Sequence, residues 1–133
     1  MGSDSPYWNP KTETLDRERL EALQLAKLRR QCDWAAARSP WYKRAFAQSG
    51  FSPDQLRSLA DLRRIEPLTR SDWMASQAEH PPYGELPTID GAGAIRVHTT
   101  SGTTGQGPLR ALDSRKDWAW IAEQRPYWQS KSG

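Results

Sequence analysis

The sequence has little of what marks several large classes of protein. Cys32 is the only cysteine among 133 residues, so an internal disulfide is excluded and a reducing compartment is expected. No apolar run approaches the length of a membrane-spanning helix. The polar start of the chain has neither the basic nor the apolar region of a signal peptide. We therefore expect a cytoplasmic location and no membrane partner.

Neither sign of charge dominates the chain. Lys and Arg number 19 against 16 Asp and Glu, for a net charge of +3, and the two signs are interspersed. This pattern predicts a solvated surface and no nucleic-acid partner, because a nucleic-acid footprint would cluster its basic residues. The 2 histidines and 1 cysteine lack the close spacing of metal ligands. No metal site is predicted, and no acidic pair suggests acid–base catalysis.

The most informative segment present is residues 99–108, with the sequence TTSGTTGQGP, directly after the strand-like residues 95–98. Its glycines permit positive φ angles and a close approach of the backbone to a ligand. Successive N–H groups in such a turn form a concavity that binds anions. Hydroxyl side chains add donors for phosphate oxygens and can reach a bound Mg²⁺. The segment therefore predicts a phosphate-binding loop for a nucleotide.

Two common phosphate-binding motifs are absent. The P-loop requires a lysine after its last glycine and then a helix, whereas Gly105 is followed by Gln106 and by strand-like residues 108–112. The dinucleotide-binding motif requires a third glycine where this chain has Arg110. An ordinary hairpin turn rich in Gly, Ser and Thr is the alternative interpretation.

The hexapeptide TSGTTG at residues 100–105 resembles the signature phosphate loop of the acyl-adenylate-forming enzymes. Further segments narrow the resemblance to the N-terminal region of phenylacetate-CoA ligases, and it extends over residues 7 to 123. These segments are YWNP at 7–10, PWYK at 40–43, PLTRSDW at 67–73 and IRVH at 95–98.

The resemblance implies an ATP-dependent ligase for an aryl acid. Enzymes of this family join a carboxylate to the α-phosphate of Mg-ATP, release pyrophosphate, and transfer the acyl group from AMP to coenzyme A. ATP, Mg²⁺ and coenzyme A are therefore the expected cofactors, and a small aromatic or other carboxylic acid is the expected partner. The resemblance assigns the β- and γ-phosphates to a set of hydroxyl and glycine residues, with the hydroxyl groups of Ser101, Thr103 and Thr104 as the best donors. The full set is Thr100, Ser101, Gly102, Thr103, Thr104 and Gly105.

The chain departs from the family pattern in two ways. Many relatives have a lysine after the last glycine, often beside a proline, where this chain has Gln106, and Arg110 is a candidate to replace that cation. The nucleoside contacts, the carboxylate pocket and the catalytic lysine of the family would lie beyond residue 133. We therefore expect an N-terminal fragment that is incomplete as a catalyst, and we assign it no catalytic residue.

The predicted fold class is α+β: a mainly helical N-terminal region and a β-hairpin that carries the phosphate loop, as one piece of the large ligase domain. The predicted divisions are a helical region at 1–94, the start of the ATP-binding core at 95–123 and a truncated tail at 124–133. The predicted elements are an extended arm at 1–13, helices at 15–38, 40–49, 53–62 and from 70, strands at 95–99 and 109–112, and a last helix capped by Ser114 and Asp117.

Several residues have competing interpretations. His98 is predicted on the polar face of a strand, in preference to a ligand contact. Trp118 and Trp120 are predicted as core contacts, in preference to a platform for a base. At the level of the whole chain, the alternatives are a helical module that self-associates through exposed apolar helices, or a stand-alone phosphate-binding fragment. A nucleic-acid binder ranks last because the charge is mild and mixed.

Overall fold

A computed structural model describes residues 6–7, 9–101 and 107–122. The predicted α+β class is confirmed. The predicted tail at 124–133 lies outside the described residues, as does Trp8. The elements are α1 (Pro10–Glu13), α2 (Arg17–Arg38), α3 (Pro40–Gln48), two 3-10 helices (Pro53–Gln55 and Leu59–Arg64), α4 (Arg70–Glu79), β1 (Ala94–Thr99) and β2 (Arg110–Ser114), followed by helical residues 115–122.

Ser39 forms the joint between α2 and α3. Its Oγ accepts a hydrogen bond from the backbone N–H of Tyr42 at 3.3 Å, as an N-cap does, and Pro40 follows where the helix needs no N–H. The same hydroxyl donates to the carbonyl oxygen of Glu85 at 3.0 Å. Ser39 is only 1% exposed. The joint is therefore held both by local capping and by a distant residue.

The core lies between α2, α3 and the segment that follows them. Cys32, Phe46, Phe51 and Leu56 form one buried cluster, in which Leu56 is 0% exposed. The rings of Phe46 and Phe51 meet edge to face with centroids 5.1 Å apart. The Nε of Arg29 donates to the carbonyl oxygen of Leu56 at 2.7 Å. Leu56, the most deeply buried residue of the cluster, therefore also has a hydrogen-bond partner for its backbone carbonyl.

The prediction of a single helix over residues 53–62 was wrong. Two 3-10 helices occupy this region, and Leu56 lies between them with extended backbone angles. The carboxylate of Asp61 accepts hydrogen bonds from the backbone N–H groups of Arg57 and Ser58, at 2.9 and 2.8 Å. Burial of Leu56 and capping by Asp61 therefore outweigh the local preference for a continuous helix.

The N-terminal segment also differs from the prediction. An extended arm was predicted over residues 1–13, but α1 is helical, because Pro10 suits the first helical position and Glu13 accepts from the backbone N–H of Asn9 at 2.7 Å. Helix α2 begins two residues later than predicted. Its N-cap is Asp16, whose side chain accepts from the backbone N–H of Arg19 at 2.8 Å.

Glu85 connects α3 with α4. Its backbone N–H donates to the hydroxyl of Ser76 at 2.8 Å, and its carbonyl oxygen accepts from the backbone N–H of Trp41 at 3.2 Å. Its carboxylate binds both terminal nitrogens of Arg44, and His80 Nε2 lies 3.2 Å from the same carboxylate. The hydrogen bond from Arg44 lowers the pKa of Glu85. One residue therefore fixes the end of α4 against the start of α3.

The two strands form an antiparallel hairpin, as predicted. Val97 pairs with Leu112 and Thr99 pairs with Arg110, and the register shifts between Ala94 and Arg96. The second strand, β2, begins one residue later and ends two residues later than predicted. Beyond it, the predicted cap of the last helix is confirmed: the carboxylate of Asp117 accepts from the backbone N–H of Ser114 at 2.9 Å, and the hydroxyl of Ser114 accepts from the backbone N–H of Asp117 at 3.2 Å.

Candidate phosphate-binding site

The predicted phosphate loop lies between β1 and β2. Thr100 and Ser101 are among the described residues, and both are exposed. The other predicted phosphate contacts lie outside the described residues, namely Gly102, Thr103, Thr104 and Gly105. The geometry of the site is therefore that of its two ends and of the elements that support them.

The base of the loop is closed by Thr100 and Leu109. The backbone N–H of Thr100 donates to the carbonyl oxygen of Leu109 at 3.0 Å, and the backbone N–H of Leu109 donates to Oγ1 of Thr100 at 3.0 Å. Leu109 is buried. The hydroxyl oxygen of Thr100 thus accepts within the hairpin, while the hydroxyl of Ser101 follows at the mouth of the loop.

One face of α4 supports the limb of the loop that returns to β2. Arg70, Met74 and Gln77 follow the spacing of a single helical face. Nη2 of Arg70 lies 3.4 Å from the carbonyl oxygen of Gly107, and a Cβ built on Gly107 would lie 3.9 Å from Cε of Met74. Gly107 has a φ of +77°, a conformation that favours glycine. Helix α4 therefore contacts the loop where its backbone makes a turn that other residues rarely adopt.

Gln77 binds the backbone of Arg110 at two points. Its side-chain Nε2 donates to the carbonyl oxygen of Arg110 at 2.7 Å, and its Oε1 accepts from the backbone N–H of Arg110 at 3.3 Å. Gln77 is 6% exposed. The side-chain amide thus occupies the outer edge of β2 as a neighbouring strand would. Gln77 was not identified from the sequence; a glutamine one helical turn after Trp73 and Met74, on the same face, was the available signal.

Among the residues that the structure describes, the guanidinium of Arg110 contacts a segment other than the loop. Its Nη1 donates to the carbonyl oxygen of Pro82 at 3.4 Å, which places the guanidinium at the turn formed by residues 81–83. The idea that Arg110 replaces the missing lysine is therefore not supported by this geometry.

The start of α4 is fixed by a capping box. The carboxylate of Asp72 accepts from the backbone N–H and the hydroxyl of Thr69, at 2.9 and 2.6 Å, and the hydroxyl of Thr69 accepts from the backbone N–H of Asp72 at 3.2 Å. The hydrogen bonds from the side chain and backbone of Thr69 lower the pKa of Asp72. This box holds the first turn of α4, which carries Arg70, in a defined position.

A second polar cluster lies along the hairpin. Nε2 of His98 lies 2.5 Å from Oδ2 of Asp113, and the guanidinium of Arg96 lies 4.2 Å above the ring of Trp118. His98 is half-exposed, in agreement with its predicted place on a polar strand face. Trp118 packs against the hairpin, as predicted for a core contact. Trp120 is 60% exposed and is not a core contact within the part of the chain that the structure describes. This cluster holds the segment of residues 115–122 against the strands.

The residues that the structure describes hold neither a metal-binding cluster nor a membrane-spanning helix. They contain no group of three or more His, Cys, Asp or Glu residues arranged to hold a metal ion. Within the same residues, no helix has both the length and the apolar composition needed to cross a bilayer.

Comparisons with known proteins identify the origin of this architecture. The phenylacetate-coenzyme A ligase of Thermus thermophilus is 38% identical over 99 residues, which cover 74% of this chain and 21% of that protein. The corresponding ligase of Escherichia coli is 32% identical over 94 residues, covering 71% of this chain and 20% of its own length. The chain corresponds to the N-terminal part of an AMP-forming acid–CoA ligase. No family model matches it.

Solved structures agree with this assignment. A 2-hydroxyisobutyryl-CoA ligase in its postadenylation state, in complex with 2-HIB-AMP, matches with a TM-score of 0.80 at 34% identity, over 89% of this chain and 24% of that one. A second structure of this ligase, in complex with 2-HIB-AMP and CoA, matches with a TM-score of 0.80 at 36% identity, over 89% of this chain and 25% of that one. The predicted resemblance is therefore confirmed. The chain spans about a fifth of the length of the curated acid–CoA ligases that it matches.

Proposed function

We propose that the chain supplies the phosphate loop of an ATP-dependent aryl-acid CoA ligase of the phenylacetate type. The observation that carries the proposal is the hexapeptide of residues 100–105, which directly follows β1. Hydrogen bonds between Thr100 and Leu109 close the base of this loop. The relatives named phenylacetate-coenzyme A ligase support the substrate class. In this proposal, residues 1–94 form the helical region of the ligase and residues 95–123 begin its ATP-binding core.

The proposed reaction has two steps. A carboxylate oxygen attacks the α-phosphorus of ATP, and the bond to the departing pyrophosphate breaks, leaving acyl-AMP. The thiol of coenzyme A then takes the acyl group and AMP departs. A protein accelerates the first step chiefly by positioning the phosphates and stabilising their charge. We assign this role to the phosphate contacts Thr100, Ser101, Gly102, Thr103, Thr104 and Gly105.

The cofactors follow from this assignment. Solved relatives in complex with 2-HIB-AMP and CoA support an adenylate intermediate and coenzyme A. Mg²⁺ would enter with the phosphates of ATP and meet the hydroxyl groups of the loop. The remaining parts of a catalyst lie elsewhere in the ligases, so we propose that the chain is inactive alone. We also propose a cytoplasmic location.

A chimera tests the role of the loop. The chain would replace the matching N-terminal segment of the Thermus thermophilus ligase, and exchange of labelled pyrophosphate into ATP would be measured with phenylacetate. We expect exchange, and we expect a roughly 100-fold or larger loss when Thr103→Val and Thr104→Val are combined, since lost transition-state donors cost about this much. Thr88→Val, outside the loop, is the matched control. A doubly substituted loop with undiminished exchange would contradict the proposal.

The acid class needs a separate measurement. Exchange would be compared for phenylacetate and 2-hydroxyisobutyrate on the longest polypeptide that the gene encodes, because the resemblance places the acid pocket of the ligases outside this chain. We expect a clear preference for phenylacetate. A preference for the hydroxy acid would overturn the aryl-acid assignment and leave the phosphate loop in place.

Self-association is a second candidate, favoured by one observation. The hairpin and the segment after it expose large apolar side chains: Ile95 at 47%, Val97 at 43%, Trp120 at 60% and Ile121 at 42%. Such side chains favour association when they form a patch. Sedimentation equilibrium over a 100-fold range of concentration tests it, and a constant monomer mass would exclude it.

A further inference from the structure

We propose that the outer edge of β1, at Val97 and Thr99, is a docking surface for one further strand. The strand would come from the part of an acid–CoA ligase that lies outside this chain. This surface ends before the phosphate loop, and its role does not depend on the proposed phosphate binding. Three observations support it: the direction of the backbone groups of β1, the side chains that β1 exposes, and the length of the ligases beyond the matched region.

The register of the hairpin determines which backbone groups of β1 point outward. In an antiparallel ladder, residues opposite each other either exchange backbone hydrogen bonds or direct their N–H and C=O groups away from each other, and the two kinds of pair alternate. Arg110 belongs to the second kind, because both of its backbone groups bind Gln77 on the far side of β2. Its partner across the ladder is Thr99. The N–H and C=O groups of Thr99, and those of Val97 two residues earlier, therefore point to the outer edge of β1.

The two outer edges of the hairpin differ. Along β2, the side-chain amide of Gln77 binds the outward backbone groups of Arg110. Among the residues that the structure describes, β1 pairs with β2 alone, and no other described segment is joined to Val97 or Thr99 by a backbone hydrogen bond. Sheets protect such an edge with lysine, proline or a bulge, because an open edge recruits another strand. The register shift of β1 lies at residues 94–96, so residues 97–99 form an edge without this protection.

The side chains of β1 favour an apolar strand as the occupant. Val97 is 43% exposed and Ile95 is 47% exposed. Because neighbouring side chains of a strand alternate between its faces, Val97 lies opposite to Arg96, whose guanidinium covers the ring of Trp118. One face of β1 is thus in contact with the segment after the hairpin, and the other presents β-branched apolar side chains. A neighbouring strand with apolar side chains would cover them.

The length of the ligases indicates where this strand comes from. The matched region is 21% of the Thermus thermophilus ligase and 24% of the solved 2-hydroxyisobutyryl-CoA ligase chain, so most of each ligase lies outside it. A hairpin of two strands is marginally stable in water, and a third strand over an apolar face stabilises it. Backbone hydrogen bonds to Val97 and Thr99 would supply affinity, and the side chain of Val97 would select an apolar neighbour. A second copy of this chain is the competing occupant.

Amide hydrogen exchange at single residues tests the edge in two proteins. The first is the 133-residue chain, and the second is the chimera in which this chain replaces the matching segment of the Thermus thermophilus ligase. In the chain alone, we expect rapid exchange at Val97 and Thr99 and slow exchange at Thr100, whose N–H donates to the carbonyl oxygen of Leu109. In the chimera, exchange at Val97 and Thr99 should slow by about 100-fold or more, because both N–H groups then bind the added strand.

Proline substitutions provide a matched pair of variants. Thr99→Pro removes an outward N–H, which an edge strand tolerates, so the chain alone should keep slow exchange at Thr100. In the chimera, the same substitution removes a hydrogen bond to the added strand, and exchange at Val97 should rise about tenfold or more. His98→Pro is the control: it removes an N–H that points to β2, so exchange at Thr100 should rise in both proteins. The Escherichia coli ligase is a second host for the chimera, so the comparison does not depend on the folding of one protein.

The outcomes distinguish the possible occupants. Slow exchange at Val97 and Thr99 in a dilute solution of the chain alone would mean that the chain closes its own edge, and would overturn the proposal. Protection that develops only as the concentration of the chain rises would assign the edge to a second copy and equally overturn it. Rapid exchange at both residues in the chimera, with Thr100 protected, would exclude a ligase strand. Protection in a chimera that fails to exchange pyrophosphate would support the docking surface and contradict only the proposed function of the loop.

Discussion

The side chain of Gln77 binds both the N–H and the carbonyl group of Arg110, 33 residues further along the chain. A buried glutamine here takes the position of a neighbouring strand beside β2, at the residue where the loop rejoins the sheet. Because the contact is made by a side chain, a single substitution can remove it without altering either strand.

We expect Gln77→Leu to lower the free energy of unfolding by about 1–3 kcal/mol, because it leaves two backbone groups of Arg110 without partners in a buried position. Urea denaturation followed by circular dichroism measures the change. Gln48→Leu, on the exposed end of α3, is the matched control and should be nearly neutral. Equal stabilities of the two variants would show that water satisfies Arg110 equally well.

We expect Leu56→Ala to be the more damaging of two leucine truncations. Leu56 is fully buried beside Phe46 and Phe51, so the substitution leaves a cavity and should cost about 2–5 kcal/mol. Leu62 is 38% exposed, and Leu62→Ala should cost much less. Urea midpoints of both variants give the comparison. A reversed order would place the stabilising core elsewhere.

Two glycines with positive φ provide a contrast between backbone strain and steric clash. Gly50 has a φ of +60° with open space around it, so Gly50→Ala should cost about 1–2 kcal/mol from conformation alone. Gly84 has a φ of +74°, and an added Cβ would lie 2.8 Å from Oγ of Ser76. Gly84→Ala should therefore destabilise the chain more than Gly50→Ala in thermal unfolding. Similar midpoints would mean that Ser76 can move aside.

The Glu85–Arg44 pair should make stability depend on pH in the acidic range. Its hydrogen bond lowers the folded-state pKa of Glu85, so the stabilisation is present above the ordinary glutamate pKa and is lost as the pH falls through the folded value. We expect the thermal midpoints of wild-type and Glu85→Gln to differ near about pH 7 and to converge toward about pH 3. Glu66→Gln, an exposed glutamate, is the control. A difference that persists unchanged at low pH would argue against the pair.

Local signals predicted where three of the helices start. Ser39 before Pro40, Thr69 before Asp72 and Ser114 before Asp117 each mark a start that the structure confirms, because capping depends on residues within one turn. The confirmed α+β class likewise follows from segments that are individually clear.

Contacts distant in sequence explain what could not be predicted. Leu56 interrupts the predicted helix because its side chain is buried among residues from α2 and α3. Gln77 and Arg70 meet the loop only once α4 has packed beside the hairpin. No local sequence pattern specifies such long-range contacts. The hexapeptide indicated where phosphate would bind, but the elements that support it became visible only in three dimensions.

Because Cys32 is buried in the core, the reaction of its thiol can report local opening of that core. Burial raises the pKa of its thiol, and the neighbouring Asp33 adds to this effect, so the reactive thiolate is scarce while the core is closed. Since Cys32 is the only cysteine, any thiol reagent that modifies the chain must do so there. The rate of labelling therefore measures how often the cluster around Leu56 exposes its interior, without a dye or an engineered probe.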